Sequence, residues 1–345
     1  MIETSEINPP LQNKVTINRH HCNPVLRPGK LSWRKVATFN PGVIRHQNRV
    51  YLLERAAGSL HPFQCVIGLQ SSDDGVHFRP GSDLPVLTPA DLGYPHGSLQ
   101  DARVVRIEDM FYMTYALRPY SYSCHPNGLG IPDYSTPVYE GFDGDESQNI
   151  TRSGIAISGD LVHWENVGFT TSPGIDDRNN ILFPAKINGR FALLRRPIVG
   201  NEKHIPSIWI SYSDDLKSWS SPNLLAAPEF EWEHGKIGGA APPMPTKEGW
   251  LMLYHAVDKN SVYRVGAMLL DLENPEKILA RSHDFIMQPS EYYETTGLVI
   301  PNVIFPTGAF IEDDLLHIYY GCADTCVGYA TVDLNDLLDY LLAKD

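Results

Sequence analysis

The stretch ILFPAKINGRFALLRRP, residues 181–197, sets two runs of Ile, Leu, Phe and Ala on either side of a short polar turn containing Gly189. Runs of strand-forming residues with such a turn between them spell an antiparallel hairpin. The same arrangement returns in NPGVIRHQNRVYLLERA (40–56), DARVVRIEDMFYMTYAL (101–117), APPMPTKEGWLMLYHAV (241–257) and VIFPTGAFIEDDLLHIYYGCA (303–323), with Asn48 and Gly249 among the turn residues. A second pattern follows each copy: a strand, a polar turn and, in several copies, an aromatic residue. Its five forms are CVIGLQSSDDGVHF, SGIAISGDLVHW, SIWISYSDDLKSW, YRVGAMLLDLENPEKIL and CVGYATVDLNDLL.

Two hairpins per unit make a four-stranded blade. Five units at intervals of about 60 to 80 residues cannot each bury both faces alone, which favours radial packing. The expected fold class is therefore all-β, a five-bladed β-propeller with a central axial site, in a single domain spanning residues 1–345. A β-sandwich also has many short strands, but it has no reason to repeat a ten-element order. Helix is expected only near the C-terminus, over about 333–343, where the leucine spacing suits a short amphipathic turn. Residues 118–149, rich in Pro, Gly, Tyr and Asp, interrupt the repeat and read as a long inserted loop. Such loops are often lids over sites, and the tyrosines suit a surface facing a carbohydrate or a second subunit in a homo-oligomer.

Composition narrows the partners. The 345 residues carry 28 Lys+Arg against 41 Asp+Glu, a formal net charge of -13, so neither nucleic acid nor an anionic membrane is an expected partner. The start, MIETSEINPP, has no basic and apolar leader pattern, and no stretch of about 18 apolar residues follows. The expected location is cytoplasmic. Five cysteines with no C-x-x-C pair suggest buried thiols, and His20 with His21 has no partner at ligand spacing, so no metal is expected. GLGIP is only a fragment of a dinucleotide fingerprint, so no cofactor is expected either.

Yet residues 178–198 of this acidic chain gather four arginines and a lysine. In a propeller the inner strands converge on the axis, so polar residues at their ends are candidates for one shared site. The units offer in turn Asn40 and Arg55; Asp101 and Arg103; Arg178, Asn179 and Arg196; Lys236, His255 and Tyr263; and Asp324. Singly, each has a bland reading. Arg55 or Arg103 can pair with a carboxylate between blades, Asp176 and Asp177 can form a turn, and His255 beside Tyr254 can be a core histidine.

Taken together, FNPG (39–42), LQDARVV (99–105), DDRNNILFPAKINGRFALLRRP (176–197), KIGGAAPPMPTKEGWLMLYHAV (236–257), YRVGAMLLDLENP (263–275), YETTGLVIPNVIFPTG (293–308) and IYYGCAD (318–324) resemble the motif series of glycoside hydrolase family 130. That family contains β-mannoside phosphorylases and related β-mannosidases on five-bladed propellers. The resemblance runs from about residue 23 to residue 335. It implies inverting phosphorolysis of a terminal β-mannosyl residue, releasing α-mannose 1-phosphate, with inorganic phosphate as co-substrate and the β-mannoside as the other partner.

By the same resemblance Asp101 is the proton donor, acting through the mannosyl 3-hydroxyl. Its surroundings, Gln100-Asp101-Ala102-Arg103, depart from the family's usual Glu-Asp-Pro-Arg. Arg178, Arg196 and His255, with Lys236 and Tyr263, fall at phosphate-binding positions. Asn40, Arg55, Arg103, Asn179 and Asp324 are expected to hold the sugar. A phosphate in a channel calls for forked cationic donors, which explains why an acidic chain collects arginines locally. A hydrolase would need a second carboxylate as base, so the retained cations favour phosphorolysis over hydrolysis. A propeller that only binds carbohydrate is the third reading. Asp101 is expected to be protonated near neutral pH, and the long loop with residues 283–297 to contact the acceptor sugar.

Overall fold

The computed structural model describes residues 15–198 and 205–343, so the N-terminal stretch read above and the outer ends of the 1–345 span lie outside the described residues. Five antiparallel sheets form the blades, with a sixth sheet of two strands beside them. Blade 1 contains Ala37–His46, Arg49–Ala57, Cys65–Ser72 and Arg79–Pro80, and blade 2 contains Ser98–Ile107, Met110–Arg118, Arg152–Ser158 and Glu165–Phe169. Blade 3 runs Asp177–Leu182, Phe191–Pro197, Ile208–Ser213 and Asn223–Ala226. In blade 4 the innermost position is split between Lys236–Gly239 and Met244–Pro245, followed by Trp250–Val257, Tyr263–Leu270 and Ile278–Arg281.

The fifth unit departs from the sequence reading, because among the described residues it has no fourth strand of its own. Ile304–Glu312, Leu315–Cys322 and Cys326–Asp333 are completed by Asn18–Arg19, which pairs antiparallel through Asn18 with Thr331 and through Arg19 with Ala330. The two ends of the chain thus close the ring. Closure satisfies an edge that would otherwise stay unpaired.

The polar turns of the second pattern explain themselves. In blades 1 to 3 a serine hydroxyl accepts from the amide of a residue in the left-handed region: Ser72 from Gly75, Ser158 from Leu161 and Ser213 from Leu216, each at 2.9 Å. Asp74, Asp160 and Asp215 each accept from two further amides, which fixes the turn. Asp271 does the same in blade 4, taking the amides of Glu273 and Asn274. In blade 5 the matching acid, Asp333, caps a helix, Leu334–Leu342, by accepting from the Asp336 amide at 3.0 Å. That helix falls within the expected 333–343 and buries Leu334, Leu337, Leu338 and Leu341 against blades 4 and 5.

An apolar seam fills every junction between neighbouring blades. Leu53 and Ile67 of blade 1 meet Val104 and Met113 of blade 2, whose other face sets Val105 and Ile107 on Leu182 and Leu193 of blade 3. Ile181 and Leu194 then meet Met252 and Met268, Leu253 packs in one cluster with Ile318, and Tyr319 with Val43 and Leu52 closes the circle. Each fully buried Leu or Ile contributes roughly 1.5 to 3 kcal/mol, so the seams carry the ring. A sandwich would have one core between two sheets.

Residues 118–149 are more ordered than a loop reading implies. They contain a small hairpin, Ser123–His125 with Asp133–Ser135, and a single turn, Glu146–Asn149. The segment docks on blade 1 through the Cys124 amide to Leu60 carbonyl and the Phe63 amide to Tyr122 carbonyl. Its Pro and Gly residues break the alternation that would have announced strands. Cys65, Cys124, Cys322 and Cys326 are buried free thiols, while Cys22 is exposed.

Candidate active site

Three inner strands place their polar residues by the same device. Asn40, Asp101 and Asn179 have φ of 44°, 50° and 54°, and each lies within a register shift of its hairpin: between Phe39 and Gly42, Gln100 and Arg103, and Arg178 and Ile181. Asn and Asp tolerate the left-handed region better than other L residues, and a bulge there re-aims the side chain. Blade 5 has the matching shift between Phe305 and Gly308, filled by Pro306 and Thr307, so it offers no amide or acid there. Its contribution, Asp324 (φ 48°), comes from the turn before Cys326–Asp333.

The residues paired just before the four bulges also correspond, Arg55 opposite Phe39, Ala116 opposite Gln100, Arg196 opposite Arg178 and Gly321 opposite Phe305, while in blade 4, whose inner strand is split, His255 lies opposite Gly238. Two of these are small for a reason. A Cβ on Gly321 would lie 1.8 Å from Asn40 Oδ1, and one on Gly238 would meet Asn179 Nδ2 and His255 Cε1 at 2.5 Å.

An axial cavity of about 260 Å³ results. Ten of the eleven sequence-predicted residues line it: Asn40, Arg55, Asp101, Arg178, Asn179, Arg196, Lys236, His255, Tyr263 and Asp324. Arg103 does not. It lies buried behind the wall, donating to the carbonyls of Ala240 (3.1 Å) and Asp101 (2.6 Å) and to Asn179 Oδ1 (3.4 Å), so it braces two lining residues. Asp176 and Asp177 pair with Arg178 and Arg195 respectively, which goes beyond a turn role.

Charge is divided across the cavity. Asp101 Oδ1 accepts from Asn40 Nδ2 and Arg55 Nη1, both at 2.9 Å. Burial alone would lift this carboxyl, but the charges of Arg55 and Arg103 and the hydrogen bonds from Asn40 and Arg55 outweigh it and hold it below the ordinary value. The expectation of a protonated Asp101 is therefore corrected for the free protein: its environment favours the carboxylate. Asp324 behaves oppositely. Burial, aided by the charge of Asp101 and resisted by Arg55, pushes it up to about 6.

On the other wall Arg178, Arg196 and Lys236 face one another. Lys236 is pushed down to about 7 by burial and by the charges of Arg196 and Arg178, with its ammonium 5.0 Å from the Tyr263 ring centre. His255 is held well below its usual value by burial and the neighbouring Arg196, Lys236 and Arg103. Neutral, it accepts from Arg196 Nη1 through Nε2 at 3.2 Å and so orients that guanidinium. Asn40 Oδ1, Arg55 Nε, Asn179 Nδ2, Arg196 Nε and His255 Nδ1 are buried without a hydrogen-bond partner among the described residues. Unmade bonds at this density are costly unless a ligand completes them.

Sequence reasoning named none of Gln100, Ser98 and the apolar Phe63, Val299, Ile300, Val303 and Phe305, and it singled out the segment 118–149 without naming Arg118, Tyr122 or Tyr134 within it. Arg118 was within reach of a period-two argument, since it stands two residues beyond Ala116 on the same face. Tyr122 and Tyr134 needed the docked hairpin. Residues 283–297, expected near the acceptor, do not line the cavity; residues 299–303 just beyond them supply that wall. His20 and His21 do gain a partner, because Cys22 brings a third ligand atom within 4.8 Å on a surface turn. No helix among the described residues is long and apolar enough to cross a membrane.

Comparison with known proteins gives the family. A family model described as β-1,4-mannooligosaccharide phosphorylase matches residues 11–126 and 145–343. The chain belongs to glycoside hydrolase family 130. Within that class it is an enzyme, a glycoside phosphorylase. It is 34% identical to a 1,2-β-oligomannan phosphorylase of Thermoanaerobacter sp. (strain X514), covering 94% of this chain and 99% of that one. It is 29% identical to a β-1,4-mannooligosaccharide phosphorylase of Ruminococcus albus, covering 96% and 92%. A β-1,2-mannobiose phosphorylase from Listeria innocua, solved with β-1,2-mannobiose, superposes with a TM-score of 0.75 at 26% identity, covering 94% and 99%.

Proposed function

We propose that this enzyme phosphorolyses the terminal β-mannosyl residue of a β-mannoside and releases α-mannose 1-phosphate. The observation that carries the reading is the division of the cavity, with a carboxylate on one side and cations lacking enough acids to pair with on the other. Asn40, Arg55, Asn179 and Asp324 hold the mannosyl group. Arg178, Arg196 and Lys236 hold inorganic phosphate, which needs no activating base, while His255 orients Arg196 and Tyr263 backs Lys236. No other cofactor enters the scheme. Attack on the anomeric carbon opposite the leaving oxygen is a single displacement, so β becomes α.

Asp101 passes a proton to the leaving oxygen by way of the mannosyl 3-hydroxyl. Because its carboxylate is favoured in the free protein, the proton arrives in the complex, where the charge of phosphate offsets the cations that depress it. Hydrogen phosphate carries one proton, and the products are the sugar phosphate dianion and a free sugar, so the reaction balances without another acid. Glucose, N-acetylglucosamine and mannose all remain in play as leaving sugar, through β-1,2, β-1,3 or β-1,4 bonds.

The test is incubation with a panel of β-mannosyl disaccharides, with and without phosphate, followed by phosphorus NMR. Mannose 1-phosphate should form only with phosphate present. Free mannose released without phosphate would replace this reading with a β-mannosidase, and no turnover at all would leave a binding propeller. Asp101→Asn should lower kcat by about 10²- to 10⁴-fold while the protein stays folded. A variant retaining most of the rate would remove Asp101 from the role of donor.

A further inference from the structure

Where the chain closes its ring, one surface turn carries three consecutive metal-binding side chains, His20, His21 and Cys22. One ring nitrogen or sulfur atom from each lies within 4.8 Å of the other two. The turn follows directly on Asn18–Arg19, the strand that completes blade 5. Its backbone is held in place. The His20 amide donates to the Tyr329 carbonyl and the Asn23 amide to the His20 carbonyl, both at 3.0 Å. Asn23 grips the Tyr329 backbone twice, donating through Nδ2 at 2.9 Å and accepting through Oδ1 at 2.8 Å. The two imidazoles lie 4.4 Å apart, tilted by 30°. His20 Nδ1 accepts from the exposed Cys22 amide at 3.2 Å, so its lone pair faces the turn; that amide can turn to water and leave the lone pair for a metal.

A row of rings ties this turn to blade 1. His20 lies 5.6 Å from the Tyr329 ring, Tyr329 stacks on Tyr319 at 4.6 Å, and Tyr319 meets Phe78 edge-on at 6.0 Å. The Tyr319 hydroxyl also donates to the Gly75 carbonyl at 2.8 Å. Between Gly75 and Phe78 stands His77, exposed on the turn that joins Cys65–Ser72 to Arg79–Pro80. Its Nδ1 donates to Asp74 Oδ2 at 2.7 Å, which leaves the lone pair on Nε2. Burial, then the charges of His21 and His77, lower the His20 value against the pull of Asp74, so the two turns feel each other.

We infer that His20, His21 and Cys22 form a zinc site with His77 as fourth ligand, a metal staple between the closing strand of blade 5 and the outer turn of blade 1. Three imidazoles and one thiolate are the nitrogen and sulfur set that zinc takes tetrahedrally, and a set that magnesium and calcium, which need oxygen, refuse. The Asp74 carboxylate behind His77 is the outer partner that metal-bound histidines use to fix their tautomer. On binding, the imidazoles enter neutral and the Cys22 thiol gives its proton to solvent, one proton for each Zn2+. The pairing that closes the ring spans only two residues, so a staple there reinforces a short edge. The site shares no residue with the axial cavity and does not rest on the phosphorolytic reading.

The test is zinc titration of the reduced protein in phosphate-free buffer, by calorimetry and by thermal melting. One equivalent should bind with a Kd of about 1 µM or tighter, and free zinc about 100-fold above Kd should raise Tm by about 3 to 5 °C. Co2+ in its place should give the intense visible bands of a four-coordinate ion together with a thiolate charge-transfer band. Cys22→Ser should remove the charge-transfer band, and both Cys22→Ser and His77→Ala should weaken zinc binding at least about 10-fold. Without metal both variants should melt within about 1 °C of the native protein. Stoichiometric binding that survives Cys22→Ser undiminished puts the zinc elsewhere and overturns the site. Undiminished binding in His77→Ala overturns the staple, and no binding by the native protein below about 100 µM overturns both.

Discussion

Arg195 and Arg196 are neighbours on one strand, both buried, and their surroundings could hardly differ more. Arg195 points away from the axis and gives Nε and Nη2 to Asp177 Oδ2 at 2.8 and 2.7 Å. Arg196 points into the cavity, has no carboxylate on its guanidinium and leaves Nε without a partner among the described residues. Two other arginines repeat the first pattern. Arg281 clamps the buried Glu233, which also accepts from Tyr254 OH and the amides of Glu229 and Phe230; Arg19 clamps Glu294, which accepts from Tyr320 OH and the amides of Ser290 and Glu291. Arg195, Arg281 and Arg19 are each held by an acid, whereas Arg196 is buried without one; Arg178 and Arg55, also in the cavity wall, keep Asp176 and Asp101.

The sharpest break in that comparison comes from paired substitutions. Arg195→Ala strands the buried Asp177 carboxylate and should cost about 3 to 5 kcal/mol of stability, read as a fall in denaturant midpoint with m unchanged. Arg196→Ala relieves repulsion from Arg178 and Lys236, so its midpoint should hold or rise while KM for phosphate increases about 10- to 100-fold. Equal destabilisation by the two would erase the distinction.

A smaller effect concerns Lys236. Its charged form is the one that binds phosphate, and with a value near 7 in the free site that form is lost as pH rises above neutral. KM for phosphate should therefore climb above pH 7, approaching tenfold per unit, and Lys236→Arg should flatten the climb because guanidinium stays charged. An unchanged alkaline limb in that variant would assign it to another group.

The smallest effect is on Asp324. Its folded value is raised, so its ionised form costs stability above about pH 6, and the cost fades as pH falls towards the ordinary carboxylate value. Asp324→Asn should raise Tm at neutral pH by about 1 to 3 °C, lose the gain near pH 4, and lower activity. A fall in Tm at pH 7 would show that the carboxylate braces the free site.

Much of this was legible before any coordinates. The hairpin repeat announced five blades because strands leave period-two runs and turns leave Ser, Asp and Gly at fixed offsets. Ten of the eleven proposed site residues line the axial cavity, on which a radial repeat converges its inner strands. What stayed hidden depends on neighbours distant in sequence. Arg103 looks like Arg55 in the chain, yet its guanidinium meets the Ala240 carbonyl, 137 residues away, and stays behind the wall. Tyr134 enters the cavity only because its hairpin folds back over blade 1.

The sequence by itself determined the strand pattern, the turn chemistry and the surplus of cations in an acidic chain, since these are local or compositional. Only the tertiary structure decided which cations lack an acid, that Asp101 rests as a carboxylate while Asp324 is the one pushed towards protonation, and that Asn18–Arg19 completes the fifth blade. The physical reason is that charge balance and edge pairing are set by distance in space, and spacing along the chain does not record it.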